Sequence, residues 1–150
     1  MRAKVSLWMW LCFVSFVVLA FSSPLAHAST YVSGEITQNT TWTVAGSPYI
    51  VTGDITVRHY DCAHSYDYIS LGRLATLTIE PGVVVRFNPG TGLYVGKYRN
   101  NDMDWYGALV AQGTESSPIV FTSNASTPAP GDWNGIYFNN YIHDATTILQ

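Results

Sequence analysis

The stretch LTIEPGVVVRFNPGTGLYVG (residues 77–96) holds three apolar runs, each three to five residues long, set between Pro-Gly, Asn-Pro-Gly and Gly punctuation. Such runs are too short for helices. Leu77 and Ile79 alternate with polar neighbours, and Val83, Val85 and Phe87 fall on one side with Val84 and Arg86 on the other, which is the period of a strand. Pro81-Gly82 and Pro89-Gly90 then turn the chain. A second stretch, GALVAQGTESSPIVFTSN (residues 107–124), repeats the rhythm, and GIYF (residues 135–138) closes it.

Laid over each other, residues 77–79 match 109–111, residues 85–87 match 119–121, and residues 93–95 match 136–138. The unit is strand, Gly turn, strand, loop, strand, recurring after about 32 to 43 residues, with the surplus in polar loops around residues 96–107 and 123–134. A coil of three short strands cannot bury its own apolar face, whereas stacked coils line their inward residues into one column. The pattern therefore predicts an all-β parallel solenoid in preference to a sandwich, whose strands would be longer. The expected core is Ile79, Val85, Phe87, Leu93, Val95, Leu109, Ala111, Ile119, Phe121, Ile136 and Phe138. YIVTGDITV (residues 49–57) reads as two short strands joined at Gly53-Asp54, with Ile50, Ile55 and Val57 inward.

Outward from this centre, the chain begins with Arg2 and Lys4, a run of about 17 apolar residues, and small residues ending at Ala26-His27-Ala28. This is the layout of a cleaved export signal over residues 1–28, leaving 29–150 as one domain. Cys12 lacks the preceding small residue of a lipid-attachment site. Arg2 and Lys4 are two of seven bases, so residues 29–150 carry five bases against ten acids, a net charge of −5. That balance speaks against nucleic acid as a partner. Cys62 is the single cysteine after the leader, so no internal disulfide can form. The expected destination is the cell exterior or surface.

The phrases ATLTIEPGVVVRF, GLYVG, GALVAQGTESSPIVFTSN and GDWNGIYF resemble the right-handed parallel β-helix superfamily with the pectate-lyase-like fold. More closely, they are similar to the N-terminal part of secreted prokaryotic surface proteins. The resemblance implies an N-terminal cap plus about two coils of a right-handed parallel β-helix. Because solenoids need three or more repeats, it also implies a chain cut short. Its partners would then be the missing C-terminal coils, or a second copy through the open solenoid end. The phrase consists of corners and core, so it speaks for fold and envelope context more than for activity.

Three groups of residues could carry chemistry. RHYDCAHSYDY (residues 58–68) places His59, Asp61, Cys62 and His64 close enough in sequence to hold zinc, although no second ligand cluster follows; the plainer reading is a protruding insertion. YRNNDMDWYG (residues 98–107) places Asp102 and Asp104 beside Trp105 and Tyr106, a set suited to a sugar ring or to Ca²⁺, without the Gly and distal Glu of an EF-hand loop. Glu80 and Glu115 occupy matching corners, but the recurrence of the phrase around Glu80 marks it as structural. Asn39 and Asn124 begin glycan acceptor sequons.

No catalytic set emerges. The composition favours a non-enzymatic secreted or cell-surface solenoid that presents loops for adhesion or polysaccharide binding. The alternative is a carbohydrate-active enzyme, a polysaccharide lyase or glycoside hydrolase, with catalytic residues partly or wholly beyond residue 150. A lyase would want clustered Asp for Ca²⁺ and a base on one strand face, where Arg86 is the outward candidate.

Overall fold

The structure, a computed structural model, describes residues 28–59, 74–99, 103–140 and 142–150. In chain order the strands are β1 (Thr30–Ile36), β2 (Thr40–Trp42), β3 (Tyr49–Val57), β4 (Ala75–Ile79), β5 (Val84–Phe87), β6 (Gly92–Val95), β7 (Lys97–Arg99), β8 (Met103–Trp105), β9 (Gly107–Ala111), β10 (Val120–Ser123), β11 (Gly135–Phe138) and β12 (Ile148–Leu149). Among the described residues the only helical piece is a 3₁₀ turn at Val44–Gly46.

The pairing is parallel throughout, apart from the β7–β8 hairpin. It resolves into three faces wrapped around one axis. The first face stacks residues 30–32 of β1, residues 49–51 of β3, then β5 and β10. The second stacks residues 34–36 of β1, residues 55–57 of β3, then β6 and β11. The third stacks β2, β4, β9 and β12. Following the chain once round all three faces gives one rung, and the described residues make four. The segment expected to act as a cap thus supplies two rungs of its own.

Each of β1 and β3 serves two faces. β3 pairs β5 through residues 49–51 and β6 through residues 55–57, so its bend falls at Gly53-Asp54, where two strands were expected. Asp54 fixes the bend by accepting the Gly92 N–H on its Oδ1 at 2.9 Å. Three residues (52–54) span the corner, an odd number that preserves side-chain parity. Tyr49 and Val51 therefore point inward with Ile55 and Val57. This corrects the expectation for Ile50, which shares the outer side of the face with Tyr31 and Arg86.

The inward columns run along the axis: Tyr49–Val85–Phe121, Val51–Phe87–Ser123, Ile55–Leu93–Ile136, Val57–Val95–Phe138 and Trp42–Ile79–Ala111–Leu149. Val51, Val57, Leu77, Val83, Val85, Phe87, Leu93, Val95 and Leu109 are completely buried. Burial of each such side chain is worth about 1.5–3 kcal/mol, and the stack gains it only where a rung lies on both sides.

The last rung shows this directly. Ile119, Phe121 and Ile136 are only partly buried against the core, and Phe138, expected inside, is 40% exposed although it sits in the Val95 column. Among the described residues no rung covers it. The matches of residues 77–79 with 109–111 and of 93–95 with 136–138 hold to the residue. The third slips: Phe121 lies over Val85 and Ser123 over Phe87, two residues from the expected register. A slip of two keeps the same face inward. Trp133 fills the space left by Ser123, stacking on Phe87 with ring centroids 4.1 Å apart and planes 11° apart.

Burial depth sets the cost of truncation. Phe87→Ala, completely buried beneath Trp133, should cost about 3–5 kcal/mol. Phe121→Ala, on the uncovered rung, should cost no more than about 2 kcal/mol. Urea unfolding of the two variants checks this, and a larger loss at Phe121 would contradict the inward columns.

Candidate functional site

Where the chain passes from the second face to the third, it makes its longest detours. The first rung crosses this corner in residues 37–39; later rungs use 58–74, 96–106 and 139–147. Elsewhere the corners are short, with the exception of 112–119 and 124–134, and the latter is built of small and polar residues around Trp133. The three long detours at the third corner hold all three histidines of residues 29–150 (His59, His64 and His143), six of the ten tyrosines, five of the seven aspartates and Trp105. Among the described residues, His59, Tyr106, His143 and Asp144 lie along this edge of the solenoid.

The roots of these detours are stitched together layer by layer. Arg58 N–H donates to Ile36 O at 2.9 Å and His59 N–H to Tyr106 O at 3.0 Å. Gly96 N–H donates to Val57 O at 2.9 Å. One layer on, Asn139 N–H donates to Val95 O at 3.0 Å, and its side-chain Nδ2 donates to Gly96 O at 2.8 Å. His143 N–H reaches Gly107 O at 3.0 Å, and Gly107 bridges Ile142 in parallel. The Arg58 side chain, 5% exposed, forms an ion pair with Glu35 of the first rung. His143 Nδ1 lies 2.5 Å from Thr146 Oγ1. The edge has a fixed floor.

The β7–β8 hairpin rises from this floor between Gly96 and Gly107, with Lys97 opposite Trp105, Tyr98 opposite Asp104 and Arg99 opposite Met103. Gly96 takes φ 72°, a left-handed conformation suited to glycine. Gly107 is needed for another reason: a Cβ there would lie 2.1 Å from Val57 O. Of the expected sugar-contact group, Asp104 and Trp105 lie on the hairpin's second strand, Tyr106 sits half-buried at its base, and Asp102 falls outside the described residues. Of the expected metal group, His59 is at the root of the 58–74 detour, with its Nδ1 buried and unpartnered among the described residues. Asp61, Cys62 and His64 lie outside the described residues. No group of three or more His, Cys, Asp or Glu is arranged to hold a metal among the described residues.

Other candidates serve the scaffold. Glu80 accepts the Val44 N–H on Oε2 at 3.0 Å, closing the 3₁₀ turn, while Glu115 is exposed in the 114–117 turn. Asn39 accepts the Thr76 N–H at 3.0 Å, and Asn124 donates to Asn88 Oδ1 at 2.9 Å, so both sequon amides are engaged between rungs. Arg86 is exposed, and its neighbours along the outer column are Ile50 and Thr122, with no carboxylate. The Ca²⁺-and-base arrangement of a lyase does not fit that column.

Sequence reasoning had not singled out His143, the Arg58–Glu35 pair, or the outer stack of Tyr94 on Tyr137, whose centroids are 5.1 Å apart. Each depends on residues brought together by the pitch of the helix rather than by local spacing. Asp132 was also missed. Its carboxylate is held below the ordinary 3.8 by the Ala129 N–H (2.8 Å) and then by Ser123, against a small opposing effect of burial.

A family model described as a pectate-lyase like beta helix domain matches residues 34–140, which takes in the two inner rungs entirely and the first and last in part. No curated protein and no solved structure matches the chain.

Gly107→Ala should destabilise the chain and release the hairpin, because its new Cβ meets backbone that cannot swing aside; hydrogen exchange of the Gly96 and His143 amides would report the loss. A depressed carboxylate pKa stabilises fully above the unfolded value and loses that contribution as pH falls through the folded one. Acidification below 3.8 should therefore loosen Trp133 from Phe87. Asp132→Asn should flatten this acid limb in a tryptophan fluorescence titration.

Proposed function

The chain belongs to the pectate-lyase-like beta-helix family, and on that footing we propose that it is a non-enzymatic secreted or cell-surface protein that binds polysaccharide along its third corner. One observation carries the reading: three successive rungs make long detours at the same corner, rooted in a hydrogen-bonded floor, and the sequence of those detours is rich in aromatic, histidine and acidic residues. Fold alone would not support it, since one scaffold serves many activities.

The chemistry of the edge suits a sugar. Trp105 and Tyr106 bring aromatic rings, whose faces pack against the C–H face of a pyranose, and Asp102 and Asp104 bring acceptors for its hydroxyls. The three detours contain four of the five bases after the leader (Arg58, Arg73, Lys97 and Arg99) and five acids (Asp61, Asp67, Asp102, Asp104 and Asp144). Near-balanced charge with donors and acceptors interspersed favours a neutral glycan over a polyanion, which the remaining acidic surface would repel. The export signal at residues 1–28 supports a location where such polymers are met.

Glycan-array screening of the exported chain, followed by calorimetry on the best neutral oligosaccharide, tests the proposal. Replacing residues 97–105 by a short glycine linker should reduce affinity at least about tenfold, or about 1.4 kcal/mol, and leave the parallel-sheet circular dichroism intact. Full affinity without the hairpin would remove the corner from consideration. Release of unsaturated or reducing ends from the bound polymer would favour the enzymatic alternative.

A further inference from the structure

Asn134 is the one asparagine of eight that precedes a glycine. The pair matters chemically because the main-chain nitrogen of the following residue can attack an asparagine Cγ, and a glycine carries no Cβ to obstruct the approach. The other described asparagines are placed differently. Asn39, Asn124, Asn139 and Asn140 precede Thr40, Ala125, Asn140 and Tyr141, whose side chains crowd that nitrogen. Asn88 precedes Pro89, which has no N–H to give up.

The fold leaves the Asn134-Gly135 pair open to solvent. Asn134 is exposed at the corner between the first and second faces, immediately before β11. Gly135 takes φ 106°, and a Cβ built there would meet nothing nearer than Tyr137 Cε2 at 3.9 Å among the described residues. The side chain is tied one rung back by a short bond and a long one: Asn134 Nδ2 donates to Gly90 O at 2.8 Å and to Tyr94 Oη at 3.4 Å. The main chain is fixed on either side of the pair, by Asn134 N–H donating to Thr91 O at 2.9 Å and by the pairing of β11 with β6 from Gly135 opposite Gly92 onward. The nitrogen that ties this corner is thus the same group that cyclisation would expel.

We propose that Asn134-Gly135 is a site of spontaneous deamidation, with water as the only co-reactant, and that its conversion unfastens the corner between β6 and β11. The Gly135 nitrogen gives its proton to solvent and bonds to Asn134 Cγ. The Cγ–Nδ2 bond breaks, and ammonia leaves with a proton taken from solvent. Water then opens the five-membered imide on one of two sides. Breaking the new bond to Cγ leaves aspartate; breaking the bond to the main-chain carbonyl leaves isoaspartate, with the chain routed through the former side chain. The sum is amide plus water giving carboxylic acid plus ammonia, and no electrons change hands.

Either product replaces a donor by a carboxylate facing Gly90 O, two acceptors with no hydrogen between them. Isoaspartate also lengthens the main chain by one carbon between the Thr91 bond and the Gly135–Gly92 pair, which shifts β11 against β6 and parts Tyr137 from Tyr94. The reaction takes place at the side of the solenoid and needs no partner, so it is indifferent to what precedes or follows the chain. It lies at a different corner from the one assigned to polysaccharide and is independent of that reading.

The test uses the full chain purified from the exported fraction, shown by circular dichroism to be folded and then held in mildly alkaline buffer, where the attacking nitrogen loses its proton more readily. Peptide mass mapping over time should find residue 134 converted at least about tenfold faster than any other asparagine, a barrier difference of about 1.4 kcal/mol. Enzymatic methylation specific for isoaspartate should label the same peptide. Asn134→Gln keeps an amide but would have to close a six-membered ring, and should abolish the signal. Conversion should speed hydrogen exchange of the Ile136 and Phe138 amides, and Asn134→Asp should reproduce part of that gain while the β9 amides stay protected. If residue 134 keeps its amide in the folded chain and converts only in urea, the corner protects the pair and the proposal is overturned. It is equally overturned if another asparagine converts first, or if the converted chain exchanges its β11 amides no faster than the unconverted one.

Discussion

A strand of four residues such as β5 or β6 cannot bury the side chains it points inward, and its backbone groups have no partner within their own rung. Both needs are met by the neighbouring rung. Parallel pairing satisfies the N–H and C=O groups, and the same stacking places Val85 over Tyr49, Leu93 over Ile55 and Leu109 over Leu77. Stability in this fold is therefore a property of interfaces between rungs, close to a nearest-neighbour sum. The gradient along the axis follows from it. Inner rungs have fully buried side chains, while the last rung has Phe138 and Leu149 partly in solvent.

The corners divide into two kinds. At the first and second corners, side chains from one rung serve the backbone of the next: Ser47 accepts from Val84 N–H, Asp54 from Gly92 N–H, and Asn134 Nδ2 donates to Gly90 O. These residues fix the pitch and are closed to other roles. At the third corner backbone hydrogen bonds and Gly107 share that task with the amides of Asn39 and Asn139, all of them at the roots of the detours. Because the pitch is fixed at those roots, the length between them can be elaborated without disturbing the stack.

Much of this was legible in the residues. Short alternating runs between Pro-Gly turns exclude helices and long-stranded sandwiches, and the internal matches put Leu77 with Leu109 and Leu93 with Ile136 correctly. The two-residue slip at β10 was not legible, because parity is unchanged and both Val85 and Phe87 offer an apolar partner to Phe121. Ile50 was misplaced because parity across a bend depends on how many residues turn the corner, which Gly53-Asp54 does not announce. The cap came from the resemblance alone, and the two rungs that stand in its place were not legible because TYVSGEI offers just Val32 and Ile36 to the interior. At the candidate edge, the aromatic and acidic content of residues 98–107 was plain. Its juxtaposition with His59 and His143 was hidden, for it arises from how many residues each rung spends elsewhere.

Trp133 has a consequence for how such a protein can change. Ser123 leaves its strand short of volume over Phe87, and a side chain from the 124–134 loop makes up the difference, anchored through Asp132 and Ala129. That loop is thus part of the interior despite its length and polar composition. Lengthening or shuffling it would empty the core, whereas β7 and β8, between Gly96 and Gly107, pair with each other and are not among the strands that form the inward columns. Evolution, or an engineer grafting foreign peptides, has freedom at one edge of this solenoid and almost none at the other, although the two segments look equally variable when written as letters.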